Sequence, residues 1–406
     1  MTVTVGIDKI GLYVPQYYIE MTELAQARGV EPSKYTIGIG QDKMAVPPLD
    51  QDVVAMAANA AASILDEHDR LAIDQVIVGT ESAFDYSKSV ASYLHELLDL
   101  QPYCKAYEIK QACYGATAGL QSACDYVRLR PDRKVLVVAT DIARYGLGTP
   151  GEPTQGAGAV ALLISANPRI LALDSQSISY TDNQFDFWRP SYSDVALVDG
   201  KFSTELYQDC FCQVMASAQQ AGLSPENWRN VVFHLPFTKM GKKALDALAQ
   251  KGSVDTSLIE RWQAAYEPAT RLGRQVGNIY TGSLYLSLLS YLTEVEDLAA
   301  GDSLGLFSYG SGAVAELFSG TLQEGFRQAL DLAALKAHLE RRQALSVQDY
   351  ERIFAQRLPQ EADYQVPRQS QEAGFVLDNR RPPPLLWQTL KNQDLSPSFF
   401  FDIGLA

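Results

Sequence analysis

The 406-residue chain is 47% hydrophobic, 10% aromatic and 20% charged, an ordinary globular composition that excludes a disordered or fibrous protein and supplies ample apolar material for a core. Its length fits two or three domains, or one large duplicated fold. A formal net charge of −14 argues against nucleic acid or an anionic membrane as a bulk partner and makes any anionic substrate depend on a local basic cluster.

The amino terminus, Met1-Thr-Val-Thr-Val-Gly-Ile-Asp8, enters a strand pattern directly, without the basic segment and apolar core of a signal peptide. A helix is predicted over 50–66. A short buried strand, Val76-Ile-Val78, then runs through Gly79-Thr80 into Glu81. A carboxylate directly after a buried strand is costly unless it is paired, hydrogen-bonded or protonated. Such burial can raise its pKa toward neutrality and make it a general acid or base. The bland alternative is a strand-end glutamate that reaches solvent.

A second helix is predicted over 87–99, and then an alternating run, Tyr103-Cys-Lys-Ala-Tyr-Glu-Ile109, which reads as a sheet edge. Cys113 follows, predicted in the first turn of a helix over 113–129 whose Gly115, Ala116, Ala118 and Gly119 allow close packing. A helix N-terminus favours thiolate over thiol, and its free N–H groups can hold an oxyanion. A small buried hydrophobe is the ordinary reading of a free cysteine. The five cysteines, Cys104, Cys113, Cys124, Cys210 and Cys212, are odd in number and form no C-x-x-C pair, as expected of reduced thiols.

Further strands are predicted at Val135–Ala139, Ala159–Ile164, Val231–Phe233 and Leu304–Phe307, with helices over 203–221, 278–293 and 322–343. The alternation favours an α/β fold. No apolar run is long enough to span a bilayer. Of the four histidines, His68, His95 and His338 read as solvated helix positions, whereas His234 follows the apolar strand Val231-Val-Phe233 directly. It is either a satisfied core residue or a catalytic group at a strand end. Lys239, Lys242 and Lys243 come next, a candidate phosphate site or a plain solvated helix face. Asn278 opens a small-residue helix as an N-cap or as an amide donor to a carbonyl. Gly310-Ser-Gly312 is a tight turn whose Ser311 N–H could complete an oxyanion hole with that of Cys113.

Gln155-Gly-Ala-Gly-Ala-Val-Ala-Leu-Leu163 resembles Tyr309-Gly-Ser-Gly-Ala-Val-Ala-Glu-Leu317 at an offset of 154, Glu81 and His234 are offset by 153, and Cys113 and Asn278 by 165. Such offsets imply two related halves whose strand ends converge on a pseudo-twofold axis; coincidence among Gly/Ala/Val-rich strings is the alternative. The tail from about 320 reads as an appended cap folding back on the second half.

With Cys113, His234 and Asn278 together, the chain resembles the thiolase superfamily. With Glu81 it resembles the 3-hydroxy-3-methylglutaryl-CoA synthase family in its shorter bacterial form. The carriers are Gly79-Thr-Glu-Ser82, Gln111-Ala-Cys-Tyr-Gly-Ala-Thr117, Thr140-Asp-Ile-Ala-Arg-Tyr145, Phe185-Asp-Phe-Trp-Arg-Pro190, Phe233-His-Leu-Pro-Phe237, Gly277-Asn-Ile-Tyr-Thr-Gly282 and Ser308-Tyr-Gly-Ser-Gly312. A thiolase proper carries a second cysteine where Ser311 stands, and a Cys-His-Asn ketoacyl synthase lacks the glutamate at Glu81.

The resemblance implies an α-β-α-β-α layered, duplicated thiolase-like fold, with halves at 1–168 and 169–406. It implies catalysis by Cys113, Glu81 and His234, contact of Asn278 with the acetoacetyl thioester, a site lined by Asp141, Tyr145 and Asp186, and CoA phosphates on Lys239 and Lys243. The expected substrates are acetyl-CoA and acetoacetyl-CoA, with no metal or redox cofactor, and the expected enzyme is a cytoplasmic homodimer. Two rivals keep the fold: an enzyme acting on carrier-protein-tethered polyketide chains, and a non-catalytic partner subunit.

Overall fold

The computed structural model describes residues 3–83, 85–193, 195–358, 364–371, 374–380 and 385–390. Its frame is nine strands: β1 (Val5–Tyr13), β2 (Ile73–Gly79), β3 (Lys105–Ile109), β4 (Lys134–Ala143), β5 (Gly156–Ala166), β6 (Leu171–Thr181), β7 (Trp228–Phe233), β8 (Ser303–Gly310) and β9 (Val314–Leu322). They run in the order β7-β8-β9-β6-β1-β5-β4-β2-β3. In the first half β2 is parallel to β4, β4 antiparallel to β5, and β5 antiparallel to β1. In the second, β7 is parallel to β8, β8 antiparallel to β9, and β9 antiparallel to β6. The same pattern thus occurs twice. The two copies meet where β1 touches β6, at Gly6 opposite Ala172 and Ile7 opposite Leu171.

Seven helices matter for the layers: α1 (Val53–Ala62), α2 (Val90–Leu97), α3 (Gly115–Leu129), α4 (Gly200–Gln220), α5 (Met240–Lys251), α6 (Thr256–Ala264) and α7 (Ser283–Glu294). Strand alternation sorts the apolar residues between them. Ile77, Val135, Val137, Val160 and Leu162 face a central core shared with α3 and α7, where Val232, Leu304 and Leu306 meet them from the second half. Their neighbours Val76, Val78, Leu136, Val138 and Leu163 face α1 and α2. Val231, Phe233 and Phe307 face α4, α5 and α6 on the opposite outside. The order helix, sheet, helix, sheet, helix is the layered thiolase-like architecture expected, with α3 and α7 as its buried middle.

Three expectations are corrected. The helix foreseen over 322–343 spans Leu332–Glu340 and is capped by Asp331, whose carboxylate accepts from Ala334 N. Leu322 is instead consumed as the last residue of β9, paired with Leu171. The tail does not fold back on the second half alone: Arg327 holds the carbonyls of Val295, Glu296 and Leu298 there, while later segments dock on the first half. Gln343 and Ala344 pair with Tyr17 and Tyr18, Asp50 accepts from the backbone N–H groups of Gln369 and Ser370, and Phe375 N donates to Asn59 on α1. His338 is buried rather than solvated, its Nε2 lying 2.9 Å from the Val14 carbonyl, and burial lowers its pKa to about 4. Pro382–Pro384 and Phe399–Ile403 lie outside the described residues. Among the described residues no helix is long and apolar enough to cross a membrane.

Candidate active site

The ends of β2 and β4, the β8–β9 turn and the helical segments that begin near Cys113 and Asn278 bring Glu81, Asp141, Ser311, Cys113 and Asn278 into one region. Gly79 closes β2 with its Cα against the start of α3: a Cβ there would sit 2.3 Å from Ala116 N. This contact sets Glu81, two residues on, beside Cys113. The Cys113 S–H donates to Glu81 Oε1 at 2.9 Å. Both side chains are half-buried.

Cys113 lies two residues ahead of α3, after Ala112, whose φ is +41°. The thiol is not tuned as a helix-start thiolate. Burial first, and then the neighbouring charges of Glu81, Asp141 and Asp186, push its pKa well up. The expected helix-end stabilisation is overridden because two anions cannot share so short a contact. At 2.9 Å two unit charges repel by about 6 kcal/mol even at an effective dielectric of ~20. Glu81 and Cys113 therefore hold a proton between them. Burial, reinforced by Asp141, raises the Glu81 carboxyl well above the usual carboxylate range, opposed by its bond to Cys113 and by Arg189.

Asp141, fully buried on β4, holds this region. One oxygen accepts from Thr80 Oγ1 (3.0 Å), Glu81 N (2.8 Å) and Ser82 Oγ (2.9 Å). The other accepts from the backbone N–H and hydroxyl of Thr281, 3.1 and 2.5 Å away in the second half. Burial raises its pKa and these bonds oppose the rise.

Asn278 is buried, and its Oδ1 accepts from Tyr280 N and Ser283 Oγ, both at 2.9 Å. It stands just ahead of the short 3₁₀ turn (Tyr280–Gly282) that leads into α7, and its amide nitrogen faces the Tyr145 hydroxyl at 3.4 Å. Tyr145 follows β4 and packs edge-on against Tyr280 and Phe187. Burial and the nearby Cys113 and Glu81 charges keep its phenol protonated.

His234 directly follows β7, its N–H donating to Phe307 O at 2.8 Å and its carbonyl accepting from the Tyr207 hydroxyl. The side chain is 2% exposed, and its Nδ1 is buried without a partner among the described residues. Burial lowers its pKa to about 3, so the ring is neutral at pH 7. No hydrogen bond joins it to Cys113 or Glu81.

Ser311 lies in the β8–β9 turn. Gly310 lets this turn touch the Gln111–Tyr114 segment that carries Cys113, since a Cβ would meet Gln111 O and Tyr114 N at 2.7 Å. Ser311 O accepts from Gln111 Nε2. Asp186, fully buried, braces the turn by accepting from Gly312 N, Tyr309 OH and Ser203 Oγ at 3.0 Å each. Lys239 caps α5, while Lys243 lies on its exposed first turn, 5.3 Å over the Phe237 ring. Neither makes a hydrogen bond to the groups around Cys113. Sequence reasoning missed Thr80, Thr281, Tyr280 and Arg189. Each stood inside a quoted motif, and the signal was its hydroxyl or cation beside a candidate catalytic residue.

A duplicated five-layer fold with a cysteine, a carboxyl group of raised pKa and a neutral histidine at its strand ends defines a thiolase-like acyl-condensing enzyme. Models of the N-terminal and C-terminal domains of hydroxymethylglutaryl-coenzyme A synthase match residues 2–169 and 249–374. The chain is 52% identical over 361 residues to a hydroxymethylglutaryl-CoA synthase of Enterococcus faecalis, covering 89% of this chain and 94% of the relative. It is 31% identical to the polyketide biosynthesis 3-hydroxy-3-methylglutaryl-ACP synthase of Bacillus subtilis (strain 168), covering 87% and 88%. A crystal structure of HMG-CoA synthase complexed with CoA superposes with a TM-score of 0.90 at 41% identity, covering 95% of this chain and all of that one. The chain belongs to the hydroxymethylglutaryl-CoA synthase family.

Proposed function

We propose that the chain condenses acetyl-CoA with acetoacetyl-CoA and water to 3-hydroxy-3-methylglutaryl-CoA and CoA, in the mevalonate route to isoprenoids. The observation that carries the reading is the 2.9 Å contact between the Cys113 thiol and Glu81. It supports Cys113 as nucleophile and Glu81 as the group that moves its proton. As sulfur attacks the acetyl thioester, the thiol proton passes to Glu81, and the departing CoA thiolate takes it up. Glu81, again a carboxylate, removes a methyl proton from acetyl-Cys113. The enolate attacks the C3 ketone of acetoacetyl-CoA, and the alkoxide formed regains that proton from Glu81. Water then cleaves the enzyme thioester, freeing the Cys113 thiol and the new carboxylate and releasing one proton to solvent.

The neutral His234 and the Asn278 amide are assigned to hydrogen bonds with the acetoacetyl oxygens, supported by the unpartnered His234 Nδ1 and the fixed Asn278 amide. The N–H groups of Cys113 and Ser311 are assigned to thioester oxygen, supported by the contact of the Gly310 turn with the nucleophile segment. Lys239 and Lys243 are assigned to CoA phosphates. CoA thioesters are substrates here, and each step is carried by side chains, with no metal or redox cofactor written into it. Identity of 52% to the CoA-named relative against 31% to the carrier-protein-named one favours free CoA. Five free thiols support a cytoplasmic setting.

The same reading makes the enzyme a homodimer. Strand β3 is the outer strand of the sheet beside Cys113, and an unpaired edge there invites its twofold copy. Light scattering at micromolar concentration should give twice the chain mass; a single-chain mass refutes the dimer. For the reaction, labelled acetyl-CoA should acylate Cys113, and addition of acetoacetyl-CoA should yield labelled hydroxymethylglutaryl-CoA. Label on any other cysteine, or none transferred to product, refutes it.

A further inference from the structure

Glu81 is held at both ends of its main chain. Its N–H donates to Asp141 in the first half. Its carbonyl accepts from the guanidinium of Arg189, more than a hundred residues away on an exposed hairpin of the second half. That hairpin pairs Phe187–Trp188 with Leu197–Val198. Its root is fixed, because buried Asp186 is bonded to Ser203, Tyr309 and Gly312, and its carbonyl accepts from Asp199 N. Its face toward the site is Phe187, edge-on to Tyr145 and Tyr280 at about 6 Å. Beyond Phe187 the hairpin reaches the first half through Arg189.

We propose that Arg189 is a positioning residue for the condensation step: from the hairpin it clamps the main chain of Glu81, so that hairpin and general base close over Cys113 as one unit. The inference rests on the condensing function assigned above. The charges support it. The groups facing Glu81 are Asp141 from β4, the Cys113 thiol ahead of α3, and the Tyr145 and Tyr280 phenols; Asp186 faces Cys113 from the second half. All of these are acidic groups, and Arg189 is the cation set against them, lowering the pKa of Glu81 where Asp141 and burial raise it. Without the cation Glu81 binds its proton more tightly, so the carboxylate that must remove the methyl proton appears at higher pH.

The test compares wild type with Arg189→Met and Arg189→Lys. For Arg189→Met, condensation kcat should fall by about tenfold or more, as for a misplaced catalytic group. Acetyl-Cys113 should still form, the KM for acetoacetyl-CoA should stay close to wild type, and the acid limb of the pH–rate profile should move up. Arg189→Lys, which keeps the charge, should hold the limb near its wild-type position and recover part of the rate. Hydrogen–deuterium exchange of Asp186–Trp188, measured without substrate, should quicken in the methionine variant and not in the lysine one. An unmoved limb or unchanged exchange overturns the clamp. A wild-type protein that forms no acetyl-Cys113 would instead overturn the function, and exchange would still test the clamp.

Discussion

Glu81→Gln isolates the role of the carboxylate. The substitution keeps the shape of the side chain and removes its charge from the 2.9 Å contact with Cys113. In the wild type a thiolate would form against that charge, a repulsion of about 6 kcal/mol at an effective dielectric of ~20. If only a quarter of this survives relaxation and water entry, about 1.4 kcal/mol, its removal raises the thiolate fraction about tenfold. At a pH where Glu81 of the wild type is ionised, iodoacetamide should therefore alkylate Cys113 of the variant roughly tenfold faster. Acetyl-CoA should still acylate the enzyme, because the easier ionisation of the thiol offsets the loss of a proton acceptor. Carbon–carbon bond formation has no such compensation and should fall by about 10²–10⁴, the usual worth of a general base. The assays are single-turnover acetylation with labelled acetyl-CoA, product formation with acetoacetyl-CoA, and the alkylation rate against pH. Unchanged alkylation refutes the electrostatic reasoning, and equal loss of acylation and condensation makes Glu81 structural.

Asp141→Asn removes a negative neighbour, so the pKa of Glu81 should fall and the acid limb of condensation should move to lower pH, opposite to Arg189→Met; a limb that rises instead would contradict the assignment of charges. Gly310→Ala places a methyl 2.7 Å from Gln111 O and Tyr114 N, so acylation should slow by about 10²-fold if the turn sets the nucleophile's geometry; an alanine variant of wild-type rate removes that role. Asp69, 1% exposed, joins Lys9 and Lys134 across β1 and β4. Asp69→Asn should cost about 3 kcal/mol in urea unfolding, the low end for breaking a buried ion pair. Its carboxyl is held below the usual range by these lysines, against the opposing effect of burial. Its contribution is therefore present above the unfolded carboxylate pKa and lost as pH falls through the folded one; a wild type and variant that differ equally at neutral and strongly acid pH would contradict this.

The frame of the site was legible because it obeys local rules. Val76–Val78 and Val231–Phe233 are continuous apolar runs, as strands covered on both faces must be, and a polar residue at each end marked Glu81 and His234. Repeated offsets revealed the duplication, which the matching strand pairings of the two halves bear out. What depends on contacts between distant segments was not legible. The pKa of Cys113 is set by Glu81, 32 residues earlier, and by Asp141 and Asp186. Helix position alone gave the opposite sign. Asp141 is anchored by Thr281, and Glu81 by Arg189, through pairings that no sequence window contains. The docking face of the tail escaped for the same reason: it is chosen by Asp50, Asn59 and Tyr17, which carry no mark of that use.

The site gathers three carboxyl groups, Glu81, Asp141 and Asp186, around one thiol in a poorly solvated recess. A nucleophile built for permanent ionisation would be surrounded by cations instead, since each carboxylate makes the thiolate dearer. The arrangement suits a cysteine that rests protonated and ionises only while its proton has somewhere to go, and the Glu81 oxygen 2.9 Å away is that place. Two consequences follow from one geometry. The resting thiol is a poor target for oxidants and alkylating agents, which attack thiolate. On the proposed mechanism the carboxylate that receives the thiol proton also takes the methyl proton once sulfur is acylated, with its pKa still raised by burial and Asp141. A base strong enough to approach a carbon acid is therefore produced by the same desolvation that keeps the nucleophile quiet, which is why one glutamate can serve both half-reactions of a condensing enzyme.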